Sequence, residues 1–256
     1  MPTDRRHRLA QCLLGAVFSG LTLAAGAGES LLIGAEDDWF PYCALKDGTV
    51  QGMSVDIVKA AFAATDTAIE LRAYPYPRCM QMARKGELVA CFNTAADART
   101  AVDYLLPQTP LFSEDILLWA RASEPTPVTD LNLLSGKKVA VTLGYEYGNR
   151  FDSHQQLVRV SVRKDLYGFL MLQRHRVDYS VAYRGTAEQL FRQHPELAGQ
   201  FTPVATLDRP QLFMSFSRNN RDAPALLERF ETGMQLIHGN GRYQQIIQQW
   251  QQNPAH

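Results

Sequence analysis

Aromatic and acidic residues gather in the first third of the chain in a way that suits capture of a small solute. Trp39, Tyr42 and Tyr76 stand next to Pro41, Pro75 and Pro77, contexts that read as loops and not as the interior of a helix or strand. Their rings offer apolar area to a ligand and a negative face to a cation. Glu36, Asp37 and Asp38 precede them and would attract a positive group, or would serve as a solvated loop. Further on, Glu146 lies between Tyr145 and Tyr147 and is the best candidate for a general acid or base if the chain is an enzyme. The histidines His7, His154, His175, His194, His238 and His256 show no HExxH or His-x3-His spacing, and the cysteines no CxxC, so no metal site and no cofactor is indicated.

The 256 residues carry 26 Lys+Arg against 26 Asp+Glu, with no basic run beyond the first eight positions. That balance removes the electrostatic footprint of a nucleic-acid binder, so polyanions are not expected as partners of a chain expected to be a monomer. Arg5, Arg6 and Arg8, an apolar run over 12–23 and the small residues Ala25-Gly26-Ala27 form a cleavable signal peptide over residues 1–27. The apolar run is shorter than the about 20 residues needed to cross a bilayer, so an exported, periplasmic protein is expected. Export leaves Cys43, Cys79 and Cys91 in an oxidising compartment, hence one disulfide and one thiol. Cys43 follows the first strand and Cys79 opens the helix after the second, which favours Cys43–Cys79 ahead of Cys79–Cys91. Cys91, in an apolar strand, is then the buried thiol.

The elements that must position these groups alternate. Apolar runs at 31–34, 69–73 and 88–92 read as strands, separated by helical spacing over 55–64 and 79–85. Strands alternating with helices imply a parallel α/β sheet, whose carboxyl-end loops, here 36–42, 74–78 and 93–99, form the ligand crevice. Ser123-Glu124-Pro125-Thr126-Pro127 reads as a connector to a second β-α-β unit, with strands at 138–142, 158–162 and 178–183 and a helix at 165–174. A strand over 212–216 follows. Then comes a helix capped by Asp222, with Leu226, Leu227, Phe230, Met234 and Ile237 on one face, and a last helix carrying Tyr243, Ile246, Ile247 and Trp250.

Motifs in order along the chain carry a resemblance. Gly34-Ala-Glu-Asp-Asp-Trp-Phe-Pro-Tyr42, Gly52-Met-Ser-Val-Asp56, Lys85-Gly86-Glu-Leu, Asp97-Ala-Arg99, Leu134-Ser-Gly-Lys-Lys-Val-Ala-Val141 with Gly144, Arg176-Val-Asp178 and Gly239-Asn-Gly-Arg-Tyr-Gln-Gln-Ile-Ile-Gln-Gln-Trp250 together resemble the bacterial extracellular solute-binding proteins of the polar amino-acid ABC-transporter type. The resemblance implies an α/β, two-lobed periplasmic-binding-protein-like II fold with two crossing hinge strands, near 116–120 and 212–215. Lobe 1 is then 28–117 with 215–256, and lobe 2 is 118–214. It also implies a small polar or zwitterionic ligand and an ABC permease in the inner membrane as partner. Arg99 falls where the family grips a ligand carboxylate, a task suited to the guanidinium fork. Asn93 and Thr94 fall beside that carboxylate, and Trp39 where an aromatic flanks the ligand side chain, with Tyr76 on the same rim.

Two departures bear on the ligand. After Gly144, where small hydroxyl residues usually stand, this chain has Tyr145, Glu146 and Tyr147. The position of the Asp that holds an α-ammonium is Tyr183, followed by Arg184. Glu146 would supply negative charge at another place, or the ligand lacks a free α-ammonium. Uptake, presentation of the ligand to a membrane receptor, and a dehydratase-like enzyme on the same fold are the three functions the resemblance leaves open.

Overall fold

The computed structural model describes residues 31–252, and there the alternation of strands and helices resolves into two main sheets and a small ribbon. The leader expected over residues 1–27 lies outside the described residues. β1 (Leu31–Glu36) leads into a three-stranded antiparallel ribbon of β2 (Asp38–Trp39), β3 (Cys43–Lys46) and β4 (Thr49–Gln51), where a loop was expected. There follow α1 (Met53–Ala63), β5 (Ile69–Tyr74), α2 (Tyr76–Lys85), β6 (Ala90–Ala95), α3 (Ala98–Asp103), β7 (Tyr104–Leu105) and β8 (Phe112–Ser113). The second passage holds β9 (Ile116–Arg121), β10 (Lys138–Thr142), α4 (Asn149–Asp152), β11 (Val158–Val162), α5 (Asp165–Gln173), β12 (Tyr179–Tyr183), α6 (Arg184–Gln193) and β13 (Phe201–Asp208). The chain returns through β14 (Gln211–Ser217) to α7 (Ala223–Gly239) and α8 (Arg242–Gln252).

In the first sheet, ordered β5-β1-β6-β14-β7, the first three strands run parallel, as β-α-β alternation requires; β14 is antiparallel to β6, and β7 is antiparallel to β14. The second sheet, ordered β11-β10-β12-β9-β13, repeats the plan with β9 and β13 antiparallel. β13 gave no clear strand signal because it contains Pro203; as the edge strand it leaves that missing donor unopposed. The chain passes between the sheets at residues 114–115 and again at 209–210, where the Glu114 N–H donates to the Pro210 carbonyl at 3.4 Å. β9 pairs along its length within the second sheet, and β14 with β6 in the first, so the crossings lie just outside the two strands expected to make them.

α7 buries Leu226, Phe230, Met234 and Ile237 on one stripe, while Leu227 is only partly buried. Asp222 holds the N-cap position without a side-chain capping bond. α8 is tied to α1 by the Trp250 indole N–H, which donates to Asp56 at 2.8 Å.

The expected Cys43–Cys79 bridge is overturned: Cys79 is bonded to Cys91, with Cα atoms 6.1 Å apart, and Cys43 is a buried free thiol. The reason is the side of the sheet each cysteine faces. α2 packs back over β1 and β6, which brings Cys79 onto Cys91 in a cluster with Met80, Ala83 and Leu88. Cys43 belongs to the ribbon and turns its thiol to the Glu36 carbonyl, 3.1 Å away. Gly34 lies beneath the bridge, where a Cβ would collide with Cys79 Sγ and stand 3.0 Å from Cys91 Sγ.

Candidate ligand-binding site

Glu36, Trp39, Tyr76, Asn93, Tyr145, Glu146 and Tyr183 line one small cavity between the lobes. Each is delivered by the end of an element. Glu36 is the last residue of β1, Tyr76 opens α2, Tyr183 ends β12, and Tyr145 and Glu146 follow β10. Trp39 sits on the ribbon opposite Cys43. Asn93 owes its aim to a bulge: Thr94 pairs with Phe213 and Phe92 with Met214, leaving Asn93 unpaired at φ 72°. Bulges redirect a side chain, and Asn tolerates the left-handed backbone better than most residues. β6 thus runs through Asn93 and Thr94, which were expected past the strand's end.

Two donors and an acceptor stand out in this wall. The Trp39 indole N–H and both polar atoms of the Asn93 amide are buried with no protein partner. Buried polar groups are nearly always satisfied, so a cluster of unpaired ones on a single cavity marks a place where a ligand supplies the partners. The Trp39 ring packs against Tyr42 and Tyr183 at centroid separations of 4.4 and 4.9 Å, and Tyr145 meets it edge-on at 6.3 Å. Tyr76 completes the aromatic wall at 5.5 Å from Tyr145.

The charges on this wall are acidic. The Tyr76 hydroxyl donates to Glu146 at 3.0 Å, and the Tyr145 hydroxyl donates to Glu36. Burial pushes the Glu146 carboxyl up to about 7 and Glu36 well above the ordinary carboxyl range. Asp165, held by the Thr142 hydroxyl just outside the cavity, is raised to about 7 by the same desolvation. No Lys or Arg lines this cavity among the described residues. Buried carboxyls with raised pKa inside an aromatic box are suited to a positive group, which would draw them into the ionised form.

The expected site residues divide accordingly. Trp39, Tyr76, Asn93, Tyr145, Glu146 and Tyr183 meet on the cavity. Thr94 is buried beneath it, with its hydroxyl toward Met80 Sδ at 3.5 Å. Arg99 stands in the first turn of α3 with a side chain 70% exposed, its guanidinium forked onto Asp97 at 2.8 and 3.0 Å. Asp97 is the cap of that helix, so local geometry holds Arg99 outside the cavity. Arg184 pairs with Asp115 at 3.0 Å and also stays out. Glu36 was named only as one of an acidic run; what distinguishes it from Asp37 and Asp38 is that β1 extends through it and buries it, which the sequence does not signal.

The lobes meet closely around this site. Lys164 reaches Asp38 at 2.9 Å, and the Tyr42 hydroxyl donates to Glu114 at the crossing. Gly144, at φ 83°, comes so near Pro77 of the facing lobe that a Cβ would lie 2.6 Å from its Cγ. Gly144→Ala therefore adds left-handed strain of about 1–3 kcal/mol and a methyl in the path of closure. Affinity for a captured solute is expected to fall roughly 5- to 100-fold, with the liganded variant more open by small-angle scattering. Wild-type affinity in calorimetry would show that Pro77 yields and that this contact does not limit closure.

The profile of the bacterial extracellular solute-binding proteins, family 3, matches residues 31–253. Among curated proteins no sequence matches the chain. Solved structures are similar in fold. One is the crystal structure of a histidine kinase sensor domain with similarity to periplasmic binding proteins, with a TM-score of 0.74 at 20% identity over 86% of this chain and 95% of that one. Another is a mutant of the arginine-binding protein from T. maritima, with a TM-score of 0.74 at 18% identity over 86% and 94%. A third is an arginine-, lysine-, histidine-binding protein from the thermophilic bacterium Geobacillus stearothermophilus, with a TM-score of 0.73 at 15% identity over 87% and 95%.

Proposed function

We propose, from the premise that this chain belongs to the bacterial extracellular solute-binding proteins, family 3, that its captured solute carries a positive group, an ammonium, guanidinium or quaternary nitrogen, held in the aromatic box. One observation carries this reading: the cavity joins two buried carboxyls to four aromatic rings, with no cationic side chain in its wall among the described residues. Arginine-binding proteins among the similar folds support a ligand of this class. The contact set is Trp39, Tyr76, Asn93, Tyr145, Glu146 and Tyr183, joined by Glu36. Among the described residues lobe 1 is taken as 31–114 with 210–252, and lobe 2 as the part between, a few residues from the boundaries expected. The protein acts by enclosure and not by chemical conversion. It is exported by its leader to the periplasm and, as a monomer, delivers its solute to an ABC permease. The sensor reading remains the second one, favoured by the likeness to a histidine kinase sensor domain.

Thermal-shift screening against amines, guanidines, quaternary ammonium compounds, amino acids and small carboxylates tests the proposal. A ligand at a hundred times its dissociation constant stabilises by about 2.7 kcal/mol, so the cationic members are expected to raise the melting temperature. Stabilisation by anions alone would refute it. Arg99→Ala is expected to leave both stability and cation affinity nearly unchanged, since exposed ion pairs contribute at most about 1 kcal/mol. A large loss of affinity would instead make Arg99 the anchor of a ligand carboxylate.

Acidity separates free and bound protein with opposite signs. The raised Glu146 carboxyl stays protonated in the folded state where an unfolded chain would ionise it. Its stabilising contribution is complete below the ordinary carboxyl range and is lost as pH rises through about 7. Glu36 and Asp165 act with the same sign. A cation binds the ionised form, so affinity should rise with pH as Glu146 ionises through about 7. Melting temperatures of the free protein and titrations of an amine on either side of neutrality give both slopes; affinity that falls with rising pH contradicts the assignment.

A further inference from the structure

We propose that the cleft holds a second, outer subsite for an anionic group, built on Arg78 and Arg163, so that the solute is an elongated molecule with its cation inside and a carboxylate outside. The proposal deepens the reading above and rests on it. A cavity of about 270 Å³ adjoins the aromatic box, sharing Glu36, Tyr76 and Tyr145 with it as common walls. Its remaining lining includes Arg78, Arg163 and Lys164, with Asp37 and Asp38. Lys164 and Asp38 satisfy each other at 2.9 Å. Arg78 has no carboxylate partner among the described residues and lies 5.9 Å from the centre of the Tyr74 ring, while Arg163 has neither a carboxylate partner nor a side-chain hydrogen bond there. Over the whole lining Arg78, Arg163 and Lys164 balance Glu36, Asp37 and Asp38, but Arg78 and Arg163 are cations without a carboxylate partner, which the inner box lacks.

The two arginines come from opposite sides of the cleft. Arg78 belongs to α2 in the first lobe, and Arg163 follows β11 in the second. An anion between them binds the closed arrangement better than the open one, so it contributes to closure as well as to affinity. Guanidinium groups suit a planar carboxylate, and two of them converging from two lobes set the length of the solute that can be enclosed. This polarity is unlike that of a ligand whose carboxylate is gripped deep in the site by Arg99, and it places the two charges of the solute several bonds apart.

Calorimetry with matched pairs in which a terminal carboxylate is replaced by a methyl tests the proposal: 6-aminohexanoate against hexylamine, and 4-guanidinobutanoate against butylguanidine. With the wild-type protein the carboxylate-bearing member is expected to bind at least tenfold tighter. In Arg78→Gln/Arg163→Gln, at two exposed positions, that ratio is expected to fall to about one. Equal affinity within both pairs in the wild type, or a ratio preserved in the double variant, overturns the outer subsite while leaving the inner box standing. Absence of binding by either member of either pair overturns both.

Discussion

Glu146→Gln is expected to weaken capture of a cationic solute by about 2–5 kcal/mol, thirtyfold or more, because it leaves a desolvated cation short of a counter-charge. Glu146 sits on the second lobe and receives the Tyr76 hydroxyl of the first at 3.0 Å. The amide can still accept that hydrogen bond, so closure contacts persist while the charge is lost. The free variant should be as stable as the wild type at low pH and more stable above neutrality, since position 146 no longer holds a buried carboxyl to ionise. Titration of an amine with both proteins at a pH above 7 reads the effect. Equal affinities would assign the counter-charge to Glu36 alone, and equal affinities with Glu36→Gln as well would remove the electrostatic basis of the site.

Trp39→Ala should be the more damaging change, costing about 3–5 kcal/mol of stability as a large aromatic deletion in a packed core. The indole is 2% exposed and is surrounded by Tyr42, Phe112, Tyr145 and Tyr183, so its removal opens a void at the meeting point of the lobes. Trp39→Phe separates packing from recognition. It retains much of the aromatic contact and removes an indole N–H that has no protein partner, which spares a buried donor its desolvation cost. Its loss of stability should therefore be well below that of the Ala variant, while affinity drops if the N–H donates to the solute. Denaturant unfolding and calorimetry on both variants distinguish these outcomes; Trp39→Phe with full affinity would reduce Trp39 to a packing residue.

Much of the scaffold was legible because it rests on periodicity. The apolar strands β1, β5, β10 and β12, and the stripe of Leu226, Phe230, Met234 and Ile237, follow from spacing alone. The rim location of Trp39, Tyr76 and Asn93 followed from the rule that parallel strands present ligands at their carboxyl ends. What escaped depends on the direction a side chain takes once elements pack. Cys79 turns to Cys91 because α2 lies over β6, a tertiary fact with no local signature. Arg99 was placed by its position in the chain, and its pairing with the Asp97 cap two residues away is a local contact that this placement set aside. Asn93 left a partial signal, a polar amide inside the apolar run 88–92 extended to Ala95, and a bulge is the ordinary way for a strand to accommodate such a residue.

The contact between Gly34 and the Cys79–Cys91 bridge has an evolutionary consequence. With the bridge in place, the sulfurs and Leu88 fill the space where any side chain at 34 would go, so the glycine cannot change. If both cysteines were replaced by smaller residues, the Leu88 methyl, 2.8 Å from a Cβ at 34, would be the one close neighbour left, and a turn of that flexible side chain would let a methyl at 34 fill the hole. The two changes are harmful singly and compensating together, the non-additivity expected of groups sharing one cavity. Three positions in three different elements therefore form a single unit of heredity: descendants of this chain can exchange bridge and glycine as a set, or retain both.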